Sequence, residues 1–288
     1  MKALVTGAGG QLATELAARA PEGWDVEALA RRDLDIRDAT AVDDAVAFSS
    51  PDLILNAAAY VAVDKAESDP DTAYAVNRDG PANLARAAAR VGSRIAHVST
   101  DFVFDGQKSR AYTPDDATNP LGVYGASKLA GEAAVRAEAP AALILRTAWV
   151  YGPHGNNFMK TMLRLMAERG EVRVVADQIG TPTAATGLAD TLWALALAGA
   201  RGVHHHTDAG VASWYDFAEA IGEEGHAAGL LAAVPRVIPI STQAFPTPAR
   251  RPAFSVLDKS STWSLLDRRP AHWRGVLRGV LGEMGART

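Results

Sequence analysis

The feature that most constrains the fold is a glycine-rich turn close to the N-terminus, set between a short apolar run and an alanine-rich stretch. The apolar run Ala3–Thr6 predicts a strand, the turn is Gly7-Ala8-Gly9-Gly10, and Leu12–Arg19 predicts a helix. At such a helix N-terminus, unpaired backbone N–H groups and the helix dipole favour a negatively charged ligand. The chain is therefore expected to begin with a βαβ unit that binds an anionic group.

Short β-prone runs then alternate with alanine-rich helical stretches through the first half of the chain. The strands are predicted at Val26–Leu29, Leu53–Asn56, Ile95–Ser99 and Ala142–Thr147, and the helices at Ala41–Phe48, Ala73–Val91 and Tyr124–Glu138. This alternation is typical of a parallel, doubly wound sheet of Rossmann type, because each crossover helix covers one face of the sheet. The fold class is therefore predicted to be α/β.

The alternation loosens after Tyr151-Gly152-Pro153, where glycine and proline become frequent. Further helices are predicted at Phe158–Glu168, Ala184–Ala198 and Trp214–Glu224. The two prolines of Phe245–Arg251 predict a fixed loop that presents two guanidinium groups. We therefore expect a dinucleotide-binding Rossmann domain at residues 1–150 and a smaller, mainly substrate-binding lobe at 151–288 that interleaves with the sheet.

The composition excludes several classes of function. The 288 residues contain no cysteine, which removes disulfides, a thiolate nucleophile and a cysteine-ligated zinc site. A formal net charge of −4 without a basic stretch predicts binding to neither nucleic acid nor a membrane surface. The apolar run at the N-terminus is too short for a signal peptide, and no apolar run reaches membrane-spanning length. A cytoplasmic location is therefore expected.

The residues around the turn suggest that the anionic ligand is a dinucleotide. Gly7 permits a tight turn, and Gly10 lets a pyrophosphate approach the backbone. After the second strand, Arg31 and Arg32 stand where an adenosine 2′-phosphate would lie, which favours NADPH. Solvated loop arginines would look the same, and Asp35 could bind a ribose instead, so NADH stays open. The complete predicted cofactor set is Gly7, Gly10, Gln11, Leu12, Arg31, Asp35, Ile36, Ala58, Ala59, Tyr60, Tyr124 and Lys128.

Small and polar residues follow the third and fourth strands, at the edge where an open α/β sheet places its chemistry. Asn56-Ala57-Ala58-Ala59-Tyr60 has small side chains that suit the approach of a cofactor ribose, with tight packing as the alternative. Val98-Ser99-Thr100-Asp101 ends the fourth strand with hydroxyl and carboxylate groups. These groups are expected beside the bound cofactor.

Tyr124 and Lys128 are the strongest candidates for proton chemistry. At spacing i, i+4 they share one face of the predicted helix, so the ammonium can lie close to the phenol. A free tyrosine has a pKa near ~10, and a neighbouring cation favours the phenolate and lowers that pKa. Chance pairs at this spacing occur on many solvated helices, but a dinucleotide turn upstream favours carbonyl reduction or alcohol oxidation with hydride transfer.

These motifs resemble the extended short-chain dehydrogenase/reductase superfamily and, over nearly the whole chain, the branch of it that completes dTDP-L-rhamnose. The segments that carry the resemblance are Gly10–Leu12, Asn56–Tyr60, Val63–Glu67, Ser99–Gly106, Val123–Glu132, Arg146–Gly152, Asn157–Met162, Asp177–Thr183, Ser213–Ala218 and Thr247–Pro252. The second-half segments are characteristic of that branch, whereas the first segments occur throughout the superfamily.

The resemblance implies reduction of the C4 ketone of dTDP-4-dehydro-6-deoxy-L-mannose to dTDP-L-rhamnose by hydride from NAD(P)H. By the same resemblance, Tyr124 protonates the carbonyl oxygen and Lys128 holds the nicotinamide ribose and lowers the pKa of the tyrosine. Thr100 would hydrogen-bond the developing alkoxide. The implied substrate contacts are Thr100, Asp101, Trp149, Asn157 and Arg251. A nucleotide sugar is therefore the expected partner, and a homodimer is open.

The resemblance also implies magnesium dependence through acidic residues, although the sequence places no such site. The run His204-His205-His206 suggests a metal site, but consecutive residues of a strand alternate faces and cannot converge on one ion. No metal-binding residue is therefore predicted.

Two alternatives remain at this stage. Another nucleotide-sugar enzyme of the superfamily, such as a 4-epimerase or a dehydratase, shares the glycine turn and the Tyr-x-x-x-Lys pair. A dehydratase should carry an Asp-Glu pair beside the threonine, whereas Thr100 is followed by Asp101-Phe102. The other alternative is a non-catalytic subunit, because the regulatory subunit of methionine adenosyltransferase resembles the same reductases. Intact Thr100, Tyr124 and Lys128 favour an enzyme.

Overall fold

A computed structural model describes residues 1–286 of the chain. The strands in chain order are β1 (Lys2–Thr6), β2 (Asp25–Leu29), β3 (Leu53–Asn56), β4 (Arg94–Thr100), β5 (Leu143–Thr147), β6 (Val150–Tyr151), β7 (Glu171–Val175), β8 (Ile179–Gly180), β9 (Thr183–Ala184), β10 (Gly202–His205), β11 (Ala212–Ser213) and β12 (Arg236–Ile240). The α-helices are α1 (Gln11–Ala18), α2 (Ala39–Ser49), α3 (Val63–Ala66), α4 (Pro70–Tyr74), α5 (Gly80–Val91), α6 (Val123–Glu138), α7 (Phe158–Arg169), α8 (Ala185–Leu197), α9 (Trp214–Ala227), α10 (Ser260–Leu266) and α11 (Trp273–Gly285). Short 3₁₀ turns occur at Asp101–Val103 and Thr242–Ala244.

The centre of the molecule is a six-stranded parallel sheet in the order β10-β5-β4-β3-β1-β2. The chain moves from β1 outward to β2 and then returns to the other side of β1 to form β3. This reversal creates a crevice at the carboxyl ends of β1 and β3, which is where open α/β sheets bind ligands. The predicted α/β class with a doubly wound parallel sheet is confirmed.

Alternating side chains of each strand enter two different cores, as the twofold period of a strand requires. On β1, Ala3 and Val5 pack with Leu16 of α1 and Leu192 of α8. The intervening Leu4 packs on the opposite face with residues of α2, α5 and α6. The sheet is thus covered by α1 and α8 on one face and by α2, α5 and α6 on the other.

The second half of the chain contributes to this sheet and also forms a lobe of its own. β10 pairs with β5 as the edge strand, and the Trp193 indole of α8 donates a hydrogen bond to the Leu16 carbonyl of α1 at 3.0 Å. Separately, α7, α9 and α11 pack around Phe217, Ile221 and Leu277. The last two residues of the expected 151–288 lobe lie outside the described part of the chain.

The predicted helix Ala73–Val91 differs from the structure. The helical segment begins at Pro70 and is interrupted by a π-helical turn at Ala75–Asp79 before α5 continues. The interruption brings the backbone of Asn77 against α6, where Gly131 leaves room for it. Residue periodicity does not reveal such a turn because the tertiary contact selects it.

Helix α6 is also tied to the sheet by a buried ion pair. The Arg146 guanidinium of β5 donates to both carboxylate oxygens of Glu132 at 2.8 and 2.7 Å, and the Ser99 hydroxyl donates at 2.5 Å. The two charged side chains are 4% and 0% exposed. Because the lone pairs of Glu132 are satisfied, the buried charge is tolerated.

None of the helices in the described part of the chain has the length and hydropathy needed to cross a membrane.

The close approach of α6 to the π-helical turn gives a stability prediction. A Cβ at Gly131 would overlap the Asn77 carbonyl oxygen, so Gly131→Ala should lower the free energy of unfolding by about 2 kcal/mol or more. The matched control is Gly279→Ala on the solvent-facing side of α11, where nothing lies within 4 Å and helix propensity should raise stability by about 0.5–1 kcal/mol. Urea unfolding measures both, and equal effects would contradict the packing argument.

Candidate active site

The glycine turn adopts a conformation that only glycine reaches without strain. Gly7 and Gly9 have φ of 85° and 84°, and a Cβ on Gly7 would stand 2.9 Å from the Ala58 nitrogen. The Gly7 and Ala8 N–H groups both donate to the Leu29 carbonyl at 3.0 Å, which joins the turn to β2. Among the described residues no side chain caps α1 after Gly10, and its first turn holds no acid. The turn therefore fits a pyrophosphate at the crevice between β1 and β3.

The segment after β2 leaves two guanidinium groups in solvent beside this turn. The side chain of Arg31 is 73% exposed and lies 3.8 Å from Asp35, and that of Arg32 is 87% exposed. Asp35 is instead bound by Arg37, whose hydrogen bonds lower the pKa of the carboxyl to about 2. Ile36 is buried in the core below. Arg31 and Arg32 are thus the accessible charges at this end of β2.

Asn77 in the π-helical turn holds the loop that follows β3. Its amide oxygen accepts from the Tyr60 N–H at 2.9 Å, and its amide nitrogen donates to the Tyr60 carbonyl at 3.1 Å. The same nitrogen donates to the Ser127 hydroxyl on α6 at 3.0 Å. Ala58 and Ala59 lie between this anchor and β3. Sequence reasoning missed Asn77, whose only signal is an amide inside an alanine-rich stretch.

Thr100 and Asp101 lie at the carboxyl end of β4, next to Tyr124 near the start of α6. The Thr100 hydroxyl donates to Asp101 Oδ1 at 3.0 Å and lies within reach of the Tyr124 phenol. Burial raises the pKa of Tyr124 to about 12, against the effect of the Thr100 hydroxyl. Burial likewise raises the pKa of Asp101 to about 6, against hydrogen bonds from Ser255 and Thr100. The structure therefore brings three predicted site residues into one cluster.

Lys128 is 2% exposed and is oriented toward β4 rather than toward the phenol. Its Nζ donates to the Val98 carbonyl at 2.6 Å and lies 3.4 Å from His97 Nε2. Burial lowers the pKa of Lys128 to about 8, with the Glu132 charge acting in the opposite direction. The expected lowering of the Tyr124 pKa by Lys128 is therefore not what this geometry produces, since burial of the phenol dominates.

Two stacked indoles lie beyond the end of β5. Trp149 adopts a left-handed φ of 49°, and its ring stacks on Trp214 with centroids 3.6 Å apart and planes at 8°. Phe158 packs against Trp214 with centroids 4.6 Å apart. Thr147, two residues before Trp149, pairs with Thr100 in the sheet, so the stack stands next to the cluster at β4. Such backbone strain is typical of functional positions. Trp214 was missed because it is the first residue of a predicted helix and follows no predicted strand.

Asn157 and Arg251 are held by protein partners in this structure. The Asn157 amide nitrogen donates to Gln11 Oε1 and to the Gly152 carbonyl, both at 2.8 Å, while its oxygen caps α7. Arg251 makes a bidentate ion pair with Asp64 at 3.0 and 2.8 Å. Asn157 thus ties the lobe to the glycine-turn helix, and a substrate phosphate at Arg251 would compete with Asp64.

The donor set for magnesium, which the sequence resemblance implies, is not present in residues 1–286. No three His, Asp or Glu side chains of this described range are close enough to share an ion. Two of the buried carboxylates are instead paired with arginine: Glu132 with Arg146, and Glu224 with Arg274 and Arg278. In β10, His204 and His205 bond the carbonyls of Arg201 and Tyr112 respectively.

The indole stack depends on a glycine, which gives a spectroscopic prediction. A Cβ at Gly180 would stand 2.6 Å from the Trp149 ring, so Gly180→Ala should displace the stack and abolish its exciton-coupled circular dichroism. Gly275→Ala on α11, where nothing lies within 4 Å, is the control and should leave the signal unchanged. Retention of the coupled signal in Gly180→Ala would contradict the proposed support of Trp149.

Comparison with known proteins agrees with this geometry. The profile described as RmlD substrate binding domain matches residues 1–285. The dTDP-4-dehydrorhamnose reductase of Mycobacterium tuberculosis (strain CDC 1551 / Oshkosh) is 48% identical over 286 residues, covering 96% of this chain and 91% of the relative. A crystal structure of a dTDP-4-dehydrorhamnose reductase from Clostridium acetobutylicum has a TM-score of 0.93 at 39% identity and covers 99% of each chain. The Bacillus anthracis enzyme, solved in complex with NADP, has a TM-score of 0.93 at 35% identity, covering 98% of this chain and 99% of that one. The chain therefore belongs to the RmlD substrate binding domain family, whose members named above are dTDP-4-dehydrorhamnose reductases.

Proposed function

We propose that the protein reduces the C4 ketone of dTDP-4-dehydro-6-deoxy-L-mannose to dTDP-L-rhamnose with NAD(P)H. The observation that carries the proposal is the cluster of Thr100, Asp101 and Tyr124 at the end of β4, on a sheet whose crevice begins with the glycine turn. Family membership and the activities named for the relatives support the same reaction. The protein is accordingly an NAD(P)H-dependent oxidoreductase acting on a nucleotide sugar.

The residues of this chain supply the proton chemistry of the reaction. NADPH, when bound, supplies the hydride. Because its pKa is raised to about 12, Tyr124 stays protonated at neutral pH and can donate to the substrate carbonyl oxygen. The Thr100 hydroxyl, which donates to Asp101 Oδ1 in this structure, would turn its single proton to the developing alkoxide. As the phenol loses its proton, the positive charge of Lys128, whose Nζ bonds the Val98 carbonyl rather than the phenol, would stabilise the new negative charge through space.

Preference for NADPH over NADH follows from the charges at the end of β2. Arg31 and Arg32 are exposed there, whereas Asp35, the candidate for a ribose diol, is already bound by Arg37. Guanidinium groups bind a 2′-phosphate well. The Bacillus anthracis relative solved in complex with NADP supports this assignment.

Binding of the sugar nucleotide is assigned mainly to the second half of the chain. We assign the cofactor to residues 1–150 and the sugar nucleotide mainly to 151–288, of which the structure describes residues up to 286. Trp149 would offer a flat apolar face to the sugar, and Arg251 would bind the diphosphate in exchange for Asp64. Asn157 and Asp101 complete the proposed substrate contacts.

The central test couples the purified protein with dTDP-4-dehydro-6-deoxy-L-mannose and follows NADPH absorbance. One NADPH should be consumed per sugar reduced, with slower turnover on NADH, whereas a 4-epimerase would show no net consumption. Tyr124→Phe should lower kcat by roughly 10²–10⁴-fold while retaining NADPH binding, because only the proton donor is lost. Tyr215→Phe, whose phenol donates to Glu219 on α9, is the matched control. No turnover by the wild-type protein would refute the assignment.

The pH dependence of kcat follows from the raised pKa of Tyr124 and the lowered pKa of Lys128. Lys128 must be charged to stabilise the phenolate, so kcat should fall about tenfold per pH unit above the Lys128 pKa of about 8. The pKa of Tyr124, about 12, keeps the phenol protonated throughout this range and adds no second limb. A profile of kcat at saturating substrate measures the limb, and constant kcat through about pH 10 would contradict the role of Lys128.

A further inference from the structure

A row of buried polar side chains crosses the sheet beneath Lys128. Thr6, Asn56 and His97 are paired in register on β1, β3 and β4, so their side chains project to the same face, toward α6. They are 1%, 0% and 0% exposed. The row runs from the residue before the glycine turn to the proposed catalytic lysine. None of these three side chains has a role in the reaction proposed above.

Backbone geometry determines how the amide of Asn56 is oriented. Its Oδ1 accepts from the Thr6 hydroxyl at 2.7 Å and from the Ala58 N–H at 3.1 Å. A backbone N–H can only donate, so the atom that it meets must be the amide oxygen. The NH₂ group of Asn56 therefore faces His97 Nδ1, at 2.9 Å.

This orientation selects one tautomer of His97. Because Asn56 donates to Nδ1, that nitrogen must be an unprotonated acceptor. Complete burial, together with the Lys128 charge, holds the pKa of His97 well below its usual value, so the ring is neutral. The single ring proton is therefore on Nε2.

The Nε2–H points at an amine that is itself a donor when charged. Nε2 lies 3.4 Å from Lys128 Nζ, and an N–H facing an ammonium forms no hydrogen bond. Loss of one proton turns Lys128 into an acceptor for that N–H. Lys128 Nζ also donates to the Val98 carbonyl of β4 at 2.6 Å, and the nearby carboxylate of Glu132 on the same helix is paired with Arg146 of β5.

We propose that His97, held by Asn56 in the Nε2–H tautomer, is a positioning residue that favours the uncharged amine of Lys128 and thereby determines the upper pH limit of the reaction. The catalytic part of this inference rests on the reductase activity proposed above, whereas the protonation of Lys128 does not. His97 touches neither substrate nor cofactor in this account and acts only through the lysine.

The direct test is a pH titration of the lysine side chains by NMR, with ¹³C at Cε. The chain has only six lysines, and the Lys128 resonance is identified by its loss in Lys128→Met. In the wild-type protein Lys128 should titrate near pH 8, and Lys259, whose pKa burial also lowers, is distinguished from it by the Lys128→Met assignment. His97→Asn keeps an acceptor for Asn56 but removes the N–H that faces the amine, so its Lys128 midpoint should rise by about one pH unit.

His205→Asn is the matched control, because His205 is equally buried on β10 of the same sheet and bonds the Tyr112 carbonyl rather than Lys128. It should leave the Lys128 midpoint unchanged. In the coupled assay, the alkaline limb of kcat should move upward with the midpoint in His97→Asn and stay in place in His205→Asn. A general loss of stability would lower both variants' activity without moving either limb.

The tautomer itself can be read in the wild-type protein from the ¹⁵N shifts of the His97 ring, so the inference stays testable if His97→Asn does not fold. An Nε2–H ring is the expected result. An Nδ1–H ring or an imidazolium, or an unchanged Lys128 midpoint in folded His97→Asn, would overturn the inference. Failure of the sugar assay alone would overturn the proposed function and leave the titration result intact.

Discussion

The seating of α6 on β4 and β5 is the contact on which the rest of the site depends. Glu132 is fully buried and its charge is balanced by Arg146, so breaking the pair would leave an uncompensated charge at a cost of about 3–5 kcal/mol. On another side of α6, Gly131 permits the close approach of the π-helical turn, since a Cβ at Gly131 would overlap the Asn77 carbonyl. Lys128 lies one helical turn before Glu132 and Tyr124 one turn before that, so one anchored face carries both proposed catalytic groups.

The parallel sheet explains why residues far apart in sequence meet at one edge. The glycine turn follows β1, the exposed arginines follow β2, the alanine loop follows β3 and Thr100 ends β4. Because the strands run in the same direction, their carboxyl ends share one edge, and the reversal of strand order beside β1 opens that edge into a crevice. The lobe built on α7, α9 and α11 then supplies Trp214, which stacks on Trp149 after β5, to the same edge.

Desolvation, more than pairing of charges, determines the proton chemistry of the cluster. Burial disfavours the charged form of any group, so it raises the pKa of Tyr124 and Asp101 and lowers that of Lys128. The phenol is thereby kept protonated for donation, and the amine is brought within reach of neutral pH. The proposed tautomer of His97 also favours the uncharged amine of Lys128. The two residues are 31 positions apart, so sequence patterns do not reveal this contact.

The sequence by itself determined the parallel α/β class, the first five strands, the glycine turn and the pair Tyr124 and Lys128, because strand and helix periodicity and glycine turns are local. It predicted Asn157 and Arg251 as substrate contacts, but not that Gln11 and Asp64 hold them in this structure. The π-helical turn at Asn77, the stack of Trp149 on Trp214, and the row from Thr6 to His97 were decided only by tertiary structure. Each requires contacts between segments dozens of residues apart, and burial, which sets the pKa values of the site, exists only once those segments pack together.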